Sequence, residues 1–292
     1  MRHLILTICL LSIVGALEVQ QGPAQNTPSE QVLQTEALRP PDITGYCSSL
    51  AGTGEGSSAL ATACAFALSQ PKKLPDIICE RVTKRSWQTR SEVDLDNVNH
   101  SDVIAAQVTY RNGQEYEDNL RVNGKPSDAA ARWSSGAWSN GEFASSLNTI
   151  FVPSSKPEFR FHKQEKLHSI QAIVFEFHVS ASNNKFYGLR SGDKLWFPEF
   201  SGKLWLDETR SRLLRLERGT PYMPDKPITR VKSTTDYSLV ALGDGTNMVL
   251  PTHADVLICG RYTAIEGCDR NIVTFSHWQK FRATTNIILN PN

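Results

Sequence analysis

The chain has 292 residues, with 31 Lys and Arg against 30 Asp and Glu, 40% hydrophobic and 21% charged. That balance fits a soluble globular protein and excludes both a wholly disordered chain and a multi-span membrane protein. A formal charge of +1 supplies no bulk positive field, so nucleic acid is not a partner that composition supports.

Met1, Arg2 and His3 precede the apolar run Leu4–Leu17, about 14 residues long and short of the roughly 20 that span hydrocarbon. Val14 and Ala16 supply the small pair before a cut after Ala16, so residues 1–16 read as a signal peptide. Cys9 lies inside the apolar run, where a lipobox cysteine is not expected. Cleavage removes only Arg2 among charged residues, leaves 30 basic against 30 acidic groups, and leaves no stable membrane span. The protein is then exported, to the periplasm or beyond.

Residues 17–57 are rich in Gln, Pro, Ser, Gly and Thr and read as a flexible leader. The run Gly52-x-Gly54-x-Gly56 has no preceding strand and no Gly-Lys-Ser/Thr after it, so it is a lead-in and not a phosphate loop. Leu60, Cys64, Ala67 and Leu68 lie on one side of a helix over Ser58–Ser69, ended by Gln70–Pro71. An extended run follows over Pro75–Thr89, then hairpin strands at Asp102–Tyr110 and Glu115–Val122 around Asn112–Gly113, closed by Asn123–Gly124. Phe143, Leu147, Ile150 and Phe151 place a second helix at Gly141–Phe151, stopped by Pro153.

Beyond it the pattern alternates. Phe159 and Phe161 share a face; Ile173, Phe175, Phe177 and Val179 lie opposite Glu176 and His178; Leu214 and Leu216 lie opposite Arg215 and Glu217. Further strands are expected at Arg230–Leu242, Thr246–Cys259, Asn271–Trp278 and Ala283–Leu289. With no βαβ alternation, the fold class is mainly β (α+β). The expected architecture is one large curved antiparallel sheet, an unclosed half-barrel whose concave apolar face is covered by the two helices. Residues 58–292, about 235 in number, fit a single domain of this kind.

Export makes disulfides possible for the five remaining cysteines, one of which must stay free or pair between molecules. Cys259 and Cys268 bracket a Gly-flanked loop, Gly260–Gly267, and a bridge there would add roughly 2–3 kcal/mol. Among Cys47, Cys64 and Cys79, a Cys64–Cys79 staple is the first choice. No C-x-x-C spacing supports zinc or redox chemistry.

Nucleophile-elbow, zinc-helix, EF-hand and Walker patterns are all missing, so no enzyme, metal or cofactor is expected. His162, His168 and His178 share parity on neighbouring strands, but that parity is the polar one, and they read as solvated histidines. Asp207–Glu208 and Glu115–Glu117–Asp118 read as turn and strand-face acids.

The run Gly202–Thr209 followed by Arg212–Leu216 resembles the hairpin "G-x-L-W-[LV]-D-x-x-T…[VL]-x-R-L" of the outer-membrane lipoprotein carriers and their sensor relatives. The order Leu74–Cys79, Val122–Pro126, Gly141–Phe143, Tyr237, Leu250–Pro251 and Phe281 is similar to a group of uncharacterised exported bacterial proteins. The resemblance implies an unclosed barrel over helices with an apolar cavity for acyl chains, and no catalytic residues. From the alternation, the ligand-cavity candidates are Phe159, Phe161, Phe175, Phe177, Leu204, Leu206, Leu214 and Leu216. The expected function is non-catalytic binding of a lipid or lipoprotein acyl group. The alternative is an envelope protein–protein interaction or sensing module with a packed interior.

Overall fold

Antiparallel strands dominate because the second half of the chain alternates apolar and polar residues with period two and turns at short Gly, Asn and Ser pairs. The computed structural model describes residues 40–73, 75–89, 100–111, 114–128, 136–139, 145–262 and 265–280. The signal peptide, the leader up to residue 39, the Asn112–Gly113 turn and the strand expected at Ala283–Leu289 lie outside the described residues.

In chain order the elements are helices α1 (Pro40–Ala51) and α2 (Ser57–Lys73), strands β1 (Ile77–Thr89), β2 (His100–Arg111), β3 (Gln114–Val122) and β4 (Lys125–Pro126), then helix α3 (Ser145–Phe151) and a 3-10 turn at Pro153–Ser155. Strands β5 (Glu158–Leu167), β6 (Ile170–Val179), β7 (Leu189–Ser191), β8 (Lys194–Trp196), β9 (Phe200–Asp207) and β10 (Leu213–Gly219) follow. The chain continues through β11 (Ile228–Ala241), β12 (Asn247–Tyr262) and β13 (Ile265–Lys280). Eleven strands form one open antiparallel sheet in the order β4-β3-β2-β1-β13-β12-β11-β10-β9-β6-β5, with β7–β8 a separate hairpin. The sheet meanders from β5 through β13 and then pairs β13 with β1, so the early hairpins extend it on the far side.

The leader read as flexible through residue 57 is helical over Pro40–Ala51. Its start at consecutive prolines hides it from a pattern search, yet Pro is well tolerated in a first helical turn, and Asp42 there complements the helix dipole. Helix α2 also runs past Pro71 to Lys73: a proline in a last turn keeps a helical φ and forfeits one hydrogen bond.

Cys47 of α1 is bonded to Cys64 of α2, which corrects the Cys64–Cys79 pairing; Cys79 is a buried free thiol on β1. Cys47 is the partner because α1 packs alongside α2 in the same cluster. The Cys47–Cys64 bridge spans 17 residues and, on the chain-entropy model, stabilises by about 3 kcal/mol. Cys259 is bonded to Cys268, facing it directly across β12–β13. That ladder continues through Gly260↔Gly267 to Tyr262↔Ile265, so the expected Gly260–Gly267 loop is strand for most of its length.

The turn between the helices rests on the sheet. Gly56 has φ +72°, and a Cβ there would lie 2.8 Å from Ile173 and 2.9 Å from Phe175. Glycine is thus needed twice over, for the left-handed backbone and for the close approach.

Candidate functional site

The concave face changes character from one side of the sheet to the other. Over β6, β9 and β10 it buries Ile173, Phe175, Phe177, Val179, Leu204, Leu206, Leu213 and Leu216, packed by Ile43 and Cys47 of α1, Leu60, Ala63 and Ala67 of α2, and Leu147, Ile150 and Phe151 of α3. Each such side chain contributes roughly 1.5–3 kcal/mol by leaving water. Over β1, β13 and β12 the same face carries an apolar cluster around Val108, Val273 and Phe275, and beside it the buried polar groups Arg81, Thr83, Arg85, Asp102, Asp269 and Asn271.

Cross-strand register joins the two regions in a single row. Asp102 faces Arg85, which faces Asn271, then Val256, Ser233, Arg218, Gly202, Phe177 and Phe159 in turn. One end of this row is a bidentate ion pair, Arg85 to Asp102 at 2.9 and 2.6 Å, with both side chains almost fully enclosed. The other end is aromatic: Phe159 stacks on Phe151 at 5.3 Å between centroids and meets Phe177 at 6.2 Å.

Seven of the eight cavity candidates line this face. Phe175, Phe177, Leu204, Leu206 and Leu216 are buried in the main cluster, and Phe159 and Phe161 pack half-buried against it on edge strand β5. Leu214 does not join them. A bulge shifts the β9–β10 register between Leu213 and Arg215, so Leu213 and Leu216 point inward while Leu214 packs on the opposite face with Ala172, Val174 and Trp205. A strict period-two reading places every later residue correctly and misplaces the one before the bulge.

The hairpin Gly202–Thr209 is built by its own residues. Trp205 points outward and donates from Nε1 to Glu165 at 2.6 Å. Asp207 closes the turn: one carboxylate oxygen accepts from the backbone N–H of Thr209 and Arg210 and from the Thr209 hydroxyl, and the other from Arg212 Nε at 2.9 Å. Burial opposes ionisation of Asp207, but the bonds from Thr209, Arg210 and Arg212 outweigh it and hold its carboxyl below the ordinary 3.8. Its folded pKa being depressed, Asp207 stabilises the hairpin above the unfolded value and ceases to do so as pH falls through the folded one. Asp207→Asn is therefore expected to cost roughly 1–3 kcal/mol at neutral pH and less at acid pH, as the carboxyl protonates. Denaturant midpoints of both proteins at the two pH values check this; a pH-independent difference would refute the charge account.

The outward face over β5, β6, β9, β10 and β11 is wet and charge-alternating: Arg160, Glu176, Lys203 and Glu217 are successive cross-strand neighbours. An open cleft of about 660 Å³ crosses these strands, and its lining combines Arg160, Glu176 and Lys203 with Phe177, Gly202 and Arg218 of the row. His162 and His178 belong to this face, whereas His168 sits with Ser169 in the β5–β6 turn, both at positive φ. Among the described residues no group of His, Cys, Asp and Glu is arranged to hold a metal.

Residues that pattern reading did not single out occupy the seam of the row. Arg218 stands 4.2 Å over the ring of Tyr187, and its Nη2 reaches Ser146 Oγ of α3 at 3.4 Å. Its Nε and the Tyr187 hydroxyl are buried without a partner. Burial raises the Tyr187 phenol despite the adjacent guanidinium, so it remains a neutral O–H donor. The signal for Arg218 lies in the alternation itself: Arg218 shares the parity of inward-facing Leu216.

No family model matches the sequence, and no curated protein matches it. Solved structures are similar in fold. A DUF1329 family protein from Desulfovibrio piger is 9% identical, with 78% of this chain and 94% of that one covered, at a TM-score of 0.32. A putative outer membrane lipoprotein-sorting protein domain from Vibrio parahaemolyticus is 13% identical, over 73% and 90%, at 0.30. Lipoprotein LppX of Mycobacterium tuberculosis is 12% identical, over 79% and 99%, at 0.26. At these scores the likeness assigns neither a ligand nor an activity. Among the described residues no helix is long and apolar enough to cross a membrane.

Proposed function

We propose that the chain is an exported, non-catalytic binding protein that holds a lipid or lipoprotein acyl chain against the concave face, beneath the α1–α2 hairpin. One observation carries this reading: the aromatic row reaches the sheet edge, where Phe159 and Phe161 on β5 are only half-buried. A hydrocarbon entering at that edge meets Phe177, Phe175, Leu204 and Leu206 in sequence, each able to give roughly 1.5–3 kcal/mol of contact. The helices above present small side chains, Ala59, Ala63 and Ala67, and the Cys47–Cys64 bridge ties α1 to α2 as one cover.

Native mass spectrometry of protein purified from the periplasm without detergent is expected to show a lipid adduct on the chain. Protein that carries no adduct and takes up no fluorescent apolar probe would overturn the reading. That outcome would favour a packed interaction module, for which the full burial of Leu147, Ile150 and Phe151 against the sheet is the supporting observation.

A further inference from the structure

Arg218 lacks the carboxylate partner that six other described arginines have. Arg81, Arg85, Arg160, Arg212, Arg215 and Arg270 each meet a carboxylate. Arg218 meets none among the described residues: its contacts are the Tyr187 ring and a long bond to Ser146 Oγ. Arg218 is half-buried, and a buried N–H and a buried phenol with no acceptor are each costly. Both penalties fall if an anion accepts from the two groups. The place is specific, because Arg218 faces Gly202 across β9–β10 and Gly202 faces Phe177, so the cation stands at the inner end of the aromatic row.

We propose that Arg218 and Tyr187 form an anion-recognising head-group site, and that the ligand is a single-chain amphiphile with a carboxylate or phosphate head whose hydrocarbon runs outward along Phe177 and Phe159. This rests on the acyl-binding reading above and adds the chemistry of the head. The guanidinium supplies the charge-assisted bonds, and the phenol donates one more.

The test compares four probes on the full chain by calorimetry: hexadecanoate, hexadecyl phosphate, hexadecanol and inorganic phosphate. The wild type is expected to bind the two anionic amphiphiles about ten- to hundred-fold more tightly than hexadecanol, and inorganic phosphate not measurably. Arg218→Gln is expected to erase the preference and keep hexadecanol binding, which also reports that the variant is folded. Tyr187→Phe, a smaller change, is expected to lower the preference several-fold. Equal affinity for hexadecanol and the anions in the wild type, or a preference unchanged in both variants, would overturn the head-group site and leave the acyl-binding reading standing. Tight binding of inorganic phosphate alone would overturn the amphiphile and leave a free-anion site. Failure of every amphiphile to bind would remove the acyl-binding reading itself.

Discussion

Gly202→Ala is expected to destabilise the protein by at least about 3 kcal/mol, the largest effect of a methyl added at any of the described glycines. A Cβ at that position would lie 1.8 Å from the Glu217 carbonyl oxygen and 2.9 Å from Phe177 Cε1. The first obstacle is backbone, so no rotamer change relieves it, and β9 would have to part from β10 where both bend around the concave face. Phe177, directly opposite on β6, lays its ring over the glycine and covers the bare backbone, as an aromatic does when it compensates for a missing side chain in a sheet. Urea denaturation of the two proteins measures the difference. A midpoint within error of wild type would mean that the strands are not held this close, and the sheet's curvature would then need another origin.

Asp102→Asn is the second large effect. The Asp102 carboxylate holds Arg85 through two parallel bonds, and the side chains are 3% and 2% exposed. Removing one charge from so enclosed a pair typically costs about 3–5 kcal/mol, because the guanidinium stays out of water and loses the charge arranged to meet it. Replacing both residues, as Arg85→Met with Asp102→Leu, removes the charges together and is expected to cost less than the single change. Denaturant midpoints of the single and the double variant read both numbers. A double variant worse than Asp102→Asn would show that the pair's further contacts, and not the burial of charge, dominate its value.

These two sites also show where the sequence is informative. The hairpin motif Gly202–Thr209 carries its own geometry: the glycine for the close strand, Leu204 and Leu206 for the inner face, Trp205 for the outer, and Asp207 for the turn. All of that is local, and local chemistry is readable. The polar half of the concave face is not. On β1 the inward residues are Arg81, Thr83 and Arg85, while Val82 between them is only half-buried, the reverse of what hydrophobicity alone suggests. Their burial is tolerable because acids on β2 and β3 come within bonding distance, Asp102 for Arg85 and Glu117 for Arg81. Those partners are set by register between strands, which a single strand's pattern does not encode.

The same division applies to the helices and cysteines. Period-two alternation after residue 158 was enough to determine an antiparallel sheet of many strands, because a residue's face follows from the pleat. Helix α2 was determined by its apolar stripe. Helix α1 depends on packing and on Cys47–Cys64, so its place became visible only once α2 and the sheet stood beneath it. What tertiary structure alone decided was the bulge that sends Leu214 outward and the row that brings Arg218 to the end of the phenylalanines. One extra residue in a strand reverses every face on one side of it, and only the partner strand records where that residue lies.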